Sequence, residues 1–403
     1  MEDFLLGIPL WQMYKHLPEI AMLVLSLLLI YLAIGKKYEP FLLLPLGFGM
    51  LLANLPVPEI LGIPGFSAYD EGGLLHFLYK GIKLGIYPPM IFLCLGAMTD
   101  FGPLLSRPSS AFIGLGGQLG IFTAFGLAFL LMKLFPAVMF DRETLAVLEA
   151  SDKDSYNKAL LAIAAVIGIV GSSDGPTTIF TASTLAPEIL PTVAIAAYSY
   201  MALVPIIQPP IMRMLTTPKE RAIVMPEPKR ITQKQKIIFP IAMTIACILI
   251  FPAAGTLIAM LMLGNLIKES GVVERYLPTL QTALLNILTI LIGISIGATA
   301  TADMFLQPKT LIVIGLGLLA FAFGTVGGVL VAKILCAATG GKVNPLIGNS
   351  GVSAMPMAAR VSQKLGQEYN SNNHLIMHAM GPIVASTIGS AMVAGIFIAL
   401  FGK

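Results

Sequence analysis

Apolar runs close to membrane-spanning length recur along the whole chain, and they constrain its fold more than any other feature. A helix needs about 20 apolar residues to cross a bilayer. Of the 403 residues, 56% are hydrophobic and 11% are charged, against roughly a quarter charged in soluble domains. This balance excludes a soluble enzyme, a nucleic-acid-binding protein and a disordered scaffold, and it predicts an all-α polytopic membrane protein with about nine to eleven transmembrane helices. The candidate runs are Ile20–Gly35, Leu84–Thr99, Pro108–Met132, Val193–Met212, Ile237–Ile267, Gln281–Thr301, Leu311–Ala332 and Leu375–Phe401.

Two further apolar segments are interrupted by polar, glycine-rich centres. In the first, Ala159–Val170 is followed by Gly-Ser-Ser-Asp-Gly-Pro-Thr-Thr at 171–178 and then by Ile179–Leu185. The second begins with Asn-Pro-Leu-Ile-Gly-Asn-Ser-Gly-Val-Ser at 344–353. Non-helical backbone at membrane depth is tolerated only where it is buried in protein or lines an aqueous cavity. Both segments therefore predict discontinuous or re-entrant helices.

Loop charges predict the orientation of the chain. Seven positive and two negative residues lie between Arg213 and Lys236, a net charge of +5, and positive loops lie on the cytoplasmic side. The segment 138–158 has five negative and three positive residues, so we expect it outside. Because Val193–Met212 crosses once between these loops, the segment around Asp174 must return to its own side. We therefore expect a re-entrant hairpin there.

A weak internal repeat divides the chain into two halves. Gly96-Ala-Met-Thr-Asp100 resembles Gly297-Ala298 with Thr301-Ala-Asp303, and each is followed by an apolar helix, a broken glycine- and serine-rich segment and a proline-containing helix. Chance similarity between small-residue helices is the alternative. Paired discontinuous segments are typical of inverted-repeat secondary transporters. We expect two inverted transmembrane repeats at 1–215 and 237–403, joined by a basic cytoplasmic linker at 216–236.

Asp174 is the strongest candidate for a functional residue, because no other charge lies between Lys158 and Glu188. A carboxylate at membrane depth costs roughly 2.5–3.5 kcal/mol even on insertion scales, which makes it a functional candidate by default. Nearby hydroxyls and carbonyls complete a set of hard oxygen ligands, and one carboxylate balances one monovalent cation. The segment therefore indicates a Na⁺ or H⁺ site. The alternative is that Asp174 only caps a half-helix.

The second broken segment and its flanks supply further candidates. Asn344, Gly348 and Ser353 could form an uncharged part of the ion site, or a small-residue packing seam. Arg360 could hold a planar carboxylate, or extend as a cation to the membrane surface. Tyr200 could relay a proton, or lie at the interface as aromatic residues commonly do. The chain has no P-loop, nucleophile elbow or dinucleotide fingerprint, so its energy must come from an ion gradient or from partner subunits.

Several long motifs resemble the membrane β subunit of the sodium-translocating biotin-dependent decarboxylases, the oxaloacetate, methylmalonyl-CoA and glutaconyl-CoA enzymes. The resemblance covers nearly the whole chain from about residue 80. The motifs are Gly96-Ala-Met-Thr-Asp-Phe-Gly-Pro-Leu-Leu105, Asp174-Gly-Pro-Thr177, Ala197-Tyr-Ser-Tyr-Met-Ala-Leu-Val-Pro-Ile-Ile-Gln-Pro-Pro-Ile-Met212, Leu215-Thr-Thr217, Asn344–Arg360 and Met377-His-Ala-Met-Gly-Pro382.

The resemblance implies a subunit that decarboxylates carboxybiotin, consumes a proton and exports Na⁺ across a bacterial or archaeal cytoplasmic membrane. It implies Na⁺-binding or coupling roles for Asp174, Asn344, Gly348 and Ser353. Asp174, Tyr200 and Arg360 would take part in the reaction, Tyr200 and Arg360 through proton delivery and carboxybiotin binding. Where many members have Asn after Met-Gly-Pro, this chain has Ile383, which places any second Na⁺ site that uses that amide in doubt.

The same resemblance implies several partners and leaves two other functions open. The partners would be a biotin carrier protein that bears the carboxybiotin, a carboxyltransferase α subunit, a small single-span membrane subunit and further copies of this chain. Nucleic acid is not expected, because the net charge is only +4. The other functions are a Na⁺- or H⁺-coupled transporter of a small organic anion and a structural membrane anchor for a soluble decarboxylase.

Overall fold

A computed structural model describes residues 17–37, 39–55, 66–140, 145 and 152–402, and these parts of the chain are helical without any β-strand. Among them, six helices are long and apolar enough to cross a membrane, and there are eight spans if two bent helix pairs count as one span each. The all-α polytopic class is thus confirmed, with six to eight candidate spans in the described residues beside the nine to eleven expected for the whole chain. Residues 141–144 and 146–151 of the acidic segment 138–158, and residues 56–65 of the apolar, proline-containing run 43–65, lie outside the described residues.

The helices follow one another in this order. They are α1 (Leu17–Gly35), α2 (Pro40–Ala53), α3 (Leu74–Lys83), α4 (Tyr87–Met98), α5 (Gly102–Ser106), α6 (Ser110–Leu134), α7 (Lys153–Val170), α8 (Gly175–Leu185), α9 (Leu190–Leu215), α10 (Pro218–Arg221), α11 (Gln233–Ile250), α12 (Gly255–Ser270), α13 (Tyr276–Thr299), α14 (Ala302–Phe305), α15 (Pro308–Ala338), α16 (Met357–Tyr369) and α17 (Ile376–Phe401). A short 3₁₀ helix spans Pro345–Gly351.

The order of elements repeats as the sequence predicted. In the first half, α4 ends before the short α5, the long α6, the broken pair α7 and α8, and then α9. In the second half, α13 ends before the short α14, the long α15, the broken pair formed by the 3₁₀ helix and α16, and then α17. The run at 237–267 is also split, because α11 ends at Ile250 ahead of Pro252.

Glycines bring α4 and α12 into backbone contact. A Cβ atom at Gly96 would lie 1.9 Å from the carbonyl oxygen of Leu261, and one at Gly264 would lie 2.0 Å from that of Leu93. No side chain fits at such distances, so the two helices can pack this closely only through glycine. The pair therefore joins a helix of the first half to a helix of the second.

α2 and α13 make the same kind of contact. Here α13 takes the place of its counterpart α4, and α2 takes the place of α12, so the two halves have exchanged roles. A Cβ atom at Gly49 would lie 2.3 Å from the carbonyl oxygen of Ile294, and one at Gly297 would lie 2.1 Å from that of Leu46. An asparagine amide then caps the end of each partner helix: Asn265 donates to the Thr99 carbonyl at 3.0 Å, and Asn54 to the Ala300 carbonyl at 2.7 Å. This reciprocal exchange is the relation expected of two halves related by a pseudo-two-fold axis.

Buried contacts tie the linker to the second half. Arg221 is buried; its guanidinium donates to the hydroxyls of Thr216 and Tyr369, and its carbonyl accepts from Asn344 and Asn373. Further along, Lys236 pairs with Asp100 at 3.2 Å and with Glu269 at 3.7 Å. The segment is therefore anchored at both ends.

Candidate functional site

The helix break before α8 places a carboxylate inside the protein. The hydroxyl of Ser172 donates to the Ile169 carbonyl, and Ser173 adopts a left-handed backbone conformation with φ of 55°. This conformation is unfavourable for a residue with a side chain, and it ends the helical path of α7. Asp174 then caps α8, because its carboxylate accepts from the Thr177 amide at 3.2 Å. Asp174 is only 4% exposed.

The second broken segment meets the first at this point. The amide of Ser353 donates to the Ser172 carbonyl at 2.9 Å. The hydroxyl of Ser353 shares a 2.6 Å hydrogen bond with Thr387 of α17. Ser390, one turn further along α17, donates to that carboxylate at 2.8 Å. Three elements distant in sequence thus converge on one carboxylate.

Three buried hydroxyls of this region have no hydrogen-bond partner among the residues that the structure describes. They belong to Ser173, Thr177 and Tyr198. Tyr198 packs directly on the start of α8, since a Cβ atom at Gly175 would lie 2.6 Å from its ring and 3.1 Å from its hydroxyl. Buried polar atoms are rarely left unpaired in folded proteins, so each one requires an explanation. Hydroxyl oxygens beside one carboxylate fit a small monovalent cation such as Na⁺, whereas a divalent ion would require more acids.

Asn344 and Gly348 lie apart from these hydrogen bonds. The Asn344 amide donates to the carbonyls of Arg221 and Ile223, and its oxygen caps the 3₁₀ helix at the Leu346 amide. Gly348 packs against α15, where a Cβ atom would lie 2.4 Å from the Cα of Val329. Of the four predicted Na⁺ residues, the hydrogen bonds therefore bring together Asp174 and Ser353. An ion-binding role for Asn344 and Gly348 stays a prediction.

Tyr200 is buried between α9 and α15. Its hydroxyl donates to the Ile314 carbonyl, and its ring lies against Gly317, where a Cβ atom would be 2.6 Å away. Two residues earlier, the Tyr198 hydroxyl lies instead against Gly175, the residue after Asp174. Both tyrosines belong to the motif 197–212, and its sequence does not show which of them lies next to Asp174.

Arg360 lies in a separate, open cavity of about 430 Å³. The side chain is exposed, and the cavity is lined by Arg360, Gln363, Lys364, Gln367, Glu368 and Ile376. Two cations and two amides supply donors for an anion, and a guanidinium can bind a planar carboxylate with two parallel hydrogen bonds. The structure therefore separates the anion-binding chemistry of Arg360 from the buried oxygens around Asp174.

Comparison with known proteins identifies the family. A family model described as the Na⁺-transporting oxaloacetate decarboxylase beta subunit matches residues 18–401. The chain belongs to this beta-subunit family. It is 48% identical to the methylmalonyl-CoA decarboxylase subunit beta of Propionigenium modestum, with 96% of each chain covered. It is 44% identical to the oxaloacetate decarboxylase beta chain 2 of Salmonella typhi, with 94% of each covered, and 45% identical to the glutaconyl-CoA decarboxylase subunit beta of Acidaminococcus fermentans, with 94% of this chain and 92% of the relative covered.

As a member of the beta-subunit family, the chain is the multi-pass membrane component of a multi-subunit, Na⁺-transporting decarboxylase. The family membership predicted from the motifs is confirmed.

The position after Met-Gly-Pro is occupied by Ile383, which is fully buried one turn before Thr387, and Thr387 donates to its carbonyl at 3.0 Å. An apolar side chain offers no oxygen ligand there.

Proposed function

We propose that this beta subunit decarboxylates carboxybiotin and couples that reaction to Na⁺ export across the cytoplasmic membrane. The observation that carries the proposal is the convergence of the Asp174 carboxylate with three unpaired buried hydroxyls where the two broken segments meet. Na⁺ bound there would receive one full negative charge from Asp174 and neutral oxygen ligands from its neighbours. The match to a Na⁺-transporting family supports Na⁺ over H⁺ as the transported ion.

The Arg360 cavity is the proposed entry for the carboxybiotin of the biotin carrier. The substrate is an N-carboxylate, and its decarboxylation breaks the C–N bond, leaves the electron pair on nitrogen and requires one proton there. Arg360 would hold the carboxylate, and Gln363 and Lys364 lie beside it in the cavity. Exposed donors of this kind orient an anion without requiring it to enter the membrane core.

We assign proton delivery to Tyr200 and carboxylate binding to Arg360. The Tyr200 hydroxyl is engaged with the Ile314 carbonyl, so proton transfer through it would require α9 to move relative to α15. An arginine is effectively always protonated and acts through charge rather than as a proton donor. Asn344 would act indirectly, by fixing the linker to the 3₁₀ helix that ends beside the ion site.

The proposed partners follow from the same function. A biotin carrier protein and a carboxyltransferase α subunit would meet the basic linker 216–236, which we place on the cytoplasmic side. A small single-span membrane subunit and further copies of this chain would complete the assembly. The carboxylic substrate is chosen by the carboxyltransferase, so it does not follow from this subunit.

Avidin distinguishes this function from a plain anion symporter and from a structural anchor. The purified complex is placed in proteoliposomes, and uptake of radioactive Na⁺ is followed after addition of the carboxylic substrate. Avidin, which captures biotin, should stop the uptake, and Arg360→Gln should slow it more than Glu368→Gln in the same cavity. Uptake that persists with avidin would refute the decarboxylase function. An anchor would give no substrate-driven uptake at all.

A further inference from the structure

A second pocket, of about 220 Å³, lies where the linker crosses the starts of α5, α6 and α17. It is lined by Pro103, Ser106, Arg107, Ser110, Met225, Pro226, Glu227, Pro228, Lys229 and His378. No residue is shared with the Arg360 cavity. Ile376 lines the Arg360 cavity and His378 lines this pocket, and two residues on a helix point about 200° apart. The first turn of α17 therefore separates the two spaces.

Arg107 is the residue in this pocket that requires an explanation. Its Nη1 atom is buried and has no hydrogen-bond partner, and no ion pair of its guanidinium is found in the described part of the chain. Burial lowers the pKa of Arg107, although the group remains a cation. A partly buried charge without a partner is unfavourable, so an anion bound here would relieve a cost already present in the fold.

The remaining groups favour an anion with a single charge. Lys229 and Glu227 on the exposed linker cancel each other, which leaves the pocket a net charge of +1 from Arg107. The hydroxyls of Ser106 and Ser110 already donate to the Pro103 and Arg107 carbonyls, at 3.0 Å and 2.7 Å. The N–H groups of Arg107 and His378 therefore remain as donors to a ligand.

The volume of the pocket favours a small ligand. Sites for drug-sized molecules have volumes of about 300–1,000 Å³, and this pocket is smaller. The planar fork of a guanidinium fits a carboxylate better than it fits a spherical ion.

We propose that the pocket around Arg107 and His378 is a binding site for a small monoanion of the carboxylate class, separate from the Arg360 cavity. The ligand would accept from the Arg107 guanidinium and from the ring N–H of His378, and the linker segment Met225–Lys229 would cover it. Occupancy would fasten the linker to the start of α17. This inference does not depend on carboxybiotin chemistry, because it concerns only binding to this chain.

Formate binding to the full chain in detergent tests the proposal. The unfolding midpoint is measured against formate concentration at constant ionic strength, with chloride as the balancing anion. We expect a saturable rise for the unaltered protein and for Arg230→Gln, a linker arginine outside the pocket. Arg107→Gln should need at least tenfold more formate, and Arg107→Lys, which keeps the charge without the fork, should give an intermediate value.

The same titration contains the results that would overturn the proposal. The proposal fails if formate raises the unfolding midpoint of Arg107→Gln as much as that of the unaltered protein. It also fails if chloride raises the midpoint as much as formate does. Stabilisation by phosphatidylglycerol micelles without any by formate would assign the pocket to a lipid headgroup instead. If Arg107→Gln does not fold, broadening of the ¹³C-formate signal by the unaltered chain but not by His378→Gln decides the question.

Discussion

The hydroxyl of Ser390 donates a 2.8 Å hydrogen bond to the carboxylate of Asp174, 216 residues earlier in the chain. The bond links the last long helix of the second half to the broken segment of the first. With the bond from the Ser353 amide to the Ser172 carbonyl, it makes the candidate ion site depend on both halves. Movement of one half relative to the other would therefore change the ligands around Asp174.

Tyr198→Phe should weaken Na⁺ activation while it leaves the fold intact. The unpaired Tyr198 hydroxyl is lost, so the stability of the Na⁺-free protein should stay the same or rise by about 1 kcal/mol. The loss of one neutral ligand should raise the Na⁺ concentration for half-maximal decarboxylation about tenfold, equivalent to about 1.4 kcal/mol. Rates are measured against Na⁺ concentration, together with the unfolding midpoint.

Tyr200→Phe is the matched control for that variant. Here the lost hydroxyl removes a hydrogen bond to the Ile314 carbonyl, so stability should fall by about 1 kcal/mol. Half-activation by Na⁺ should change little, although the maximal rate would fall if Tyr200 delivers the proton. If the Na⁺ dependence moves with Tyr200→Phe and not with Tyr198→Phe, our choice of ligand is wrong.

Gly96→Ala and Gly264→Ala should each disrupt the packing of α4 on α12. The added methyl would lie 1.9 Å and 2.0 Å from a partner carbonyl, so the helices must separate. Overpacking costs about 1–3 kcal/mol where neighbouring side chains can move aside. Backbone carbonyls move less easily, so the cost here should lie at or above that range. Yield of folded protein and the unfolding midpoint measure this effect.

Gly126→Ala and Gly315→Ala test whether that loss is specific. Both positions are helical, and within the described part of the chain no atom lies within 4 Å of the new Cβ atom. These variants should be neutral or stabilised by up to about 1 kcal/mol, because alanine favours helix. Equal losses in all four variants would show that glycine is needed for another reason than close helix packing.

The ion pair of Asp100 with Lys236 should contribute stability that disappears in acid. Burial raises the pKa of Asp100, but the Gly102 amide and the Lys236 ammonium outweigh it and hold that pKa below its ordinary value. A depressed carboxyl pKa gives stability above about pH 3.9, lost as pH falls through the folded-state pKa. Unfolding midpoints of Asp100→Asn, Lys236→Gln and the double variant should give a coupling of about 0.2–1 kcal/mol at pH 7. Lys234→Gln, an exposed lysine on the same helix, should leave the pH profile unchanged.

Much of the fold was predictable because the bilayer restricts what an apolar chain can do. Proline and glycine marked the ends of α11 and α7 correctly, since neither residue type continues a helix easily. Asp174 was identifiable from its isolation among apolar residues. The reciprocal glycine contacts were not, because a glycine in an apolar helix does not reveal which backbone it approaches.

The residues that complete the candidate site were harder to identify from sequence. Ser390 and Thr387 lie on an apolar helix, and serine or threonine there commonly bonds to its own backbone. Thr387 and Ser390 are three residues apart and Ser386 and Ser390 are four apart, which places these hydroxyls on one helix face, and this spacing was the available signal. Tyr198 and Tyr200 differ by two positions, and only the packing of α9 decides which one lies beside Asp174.

The test closest to the central claim is Na⁺ transport by Asp174→Asn. Asparagine keeps the size of the side chain but removes its charge, so the cation would lose the full negative charge of Asp174. Radioactive Na⁺ uptake driven by the carboxylic substrate is measured in proteoliposomes, alongside Asp303→Asn as an exposed acidic control. We predict that Asp174→Asn abolishes uptake and that Asp303→Asn retains it. Uptake by Asp174→Asn at the unaltered rate and Na⁺ dependence would contradict the account.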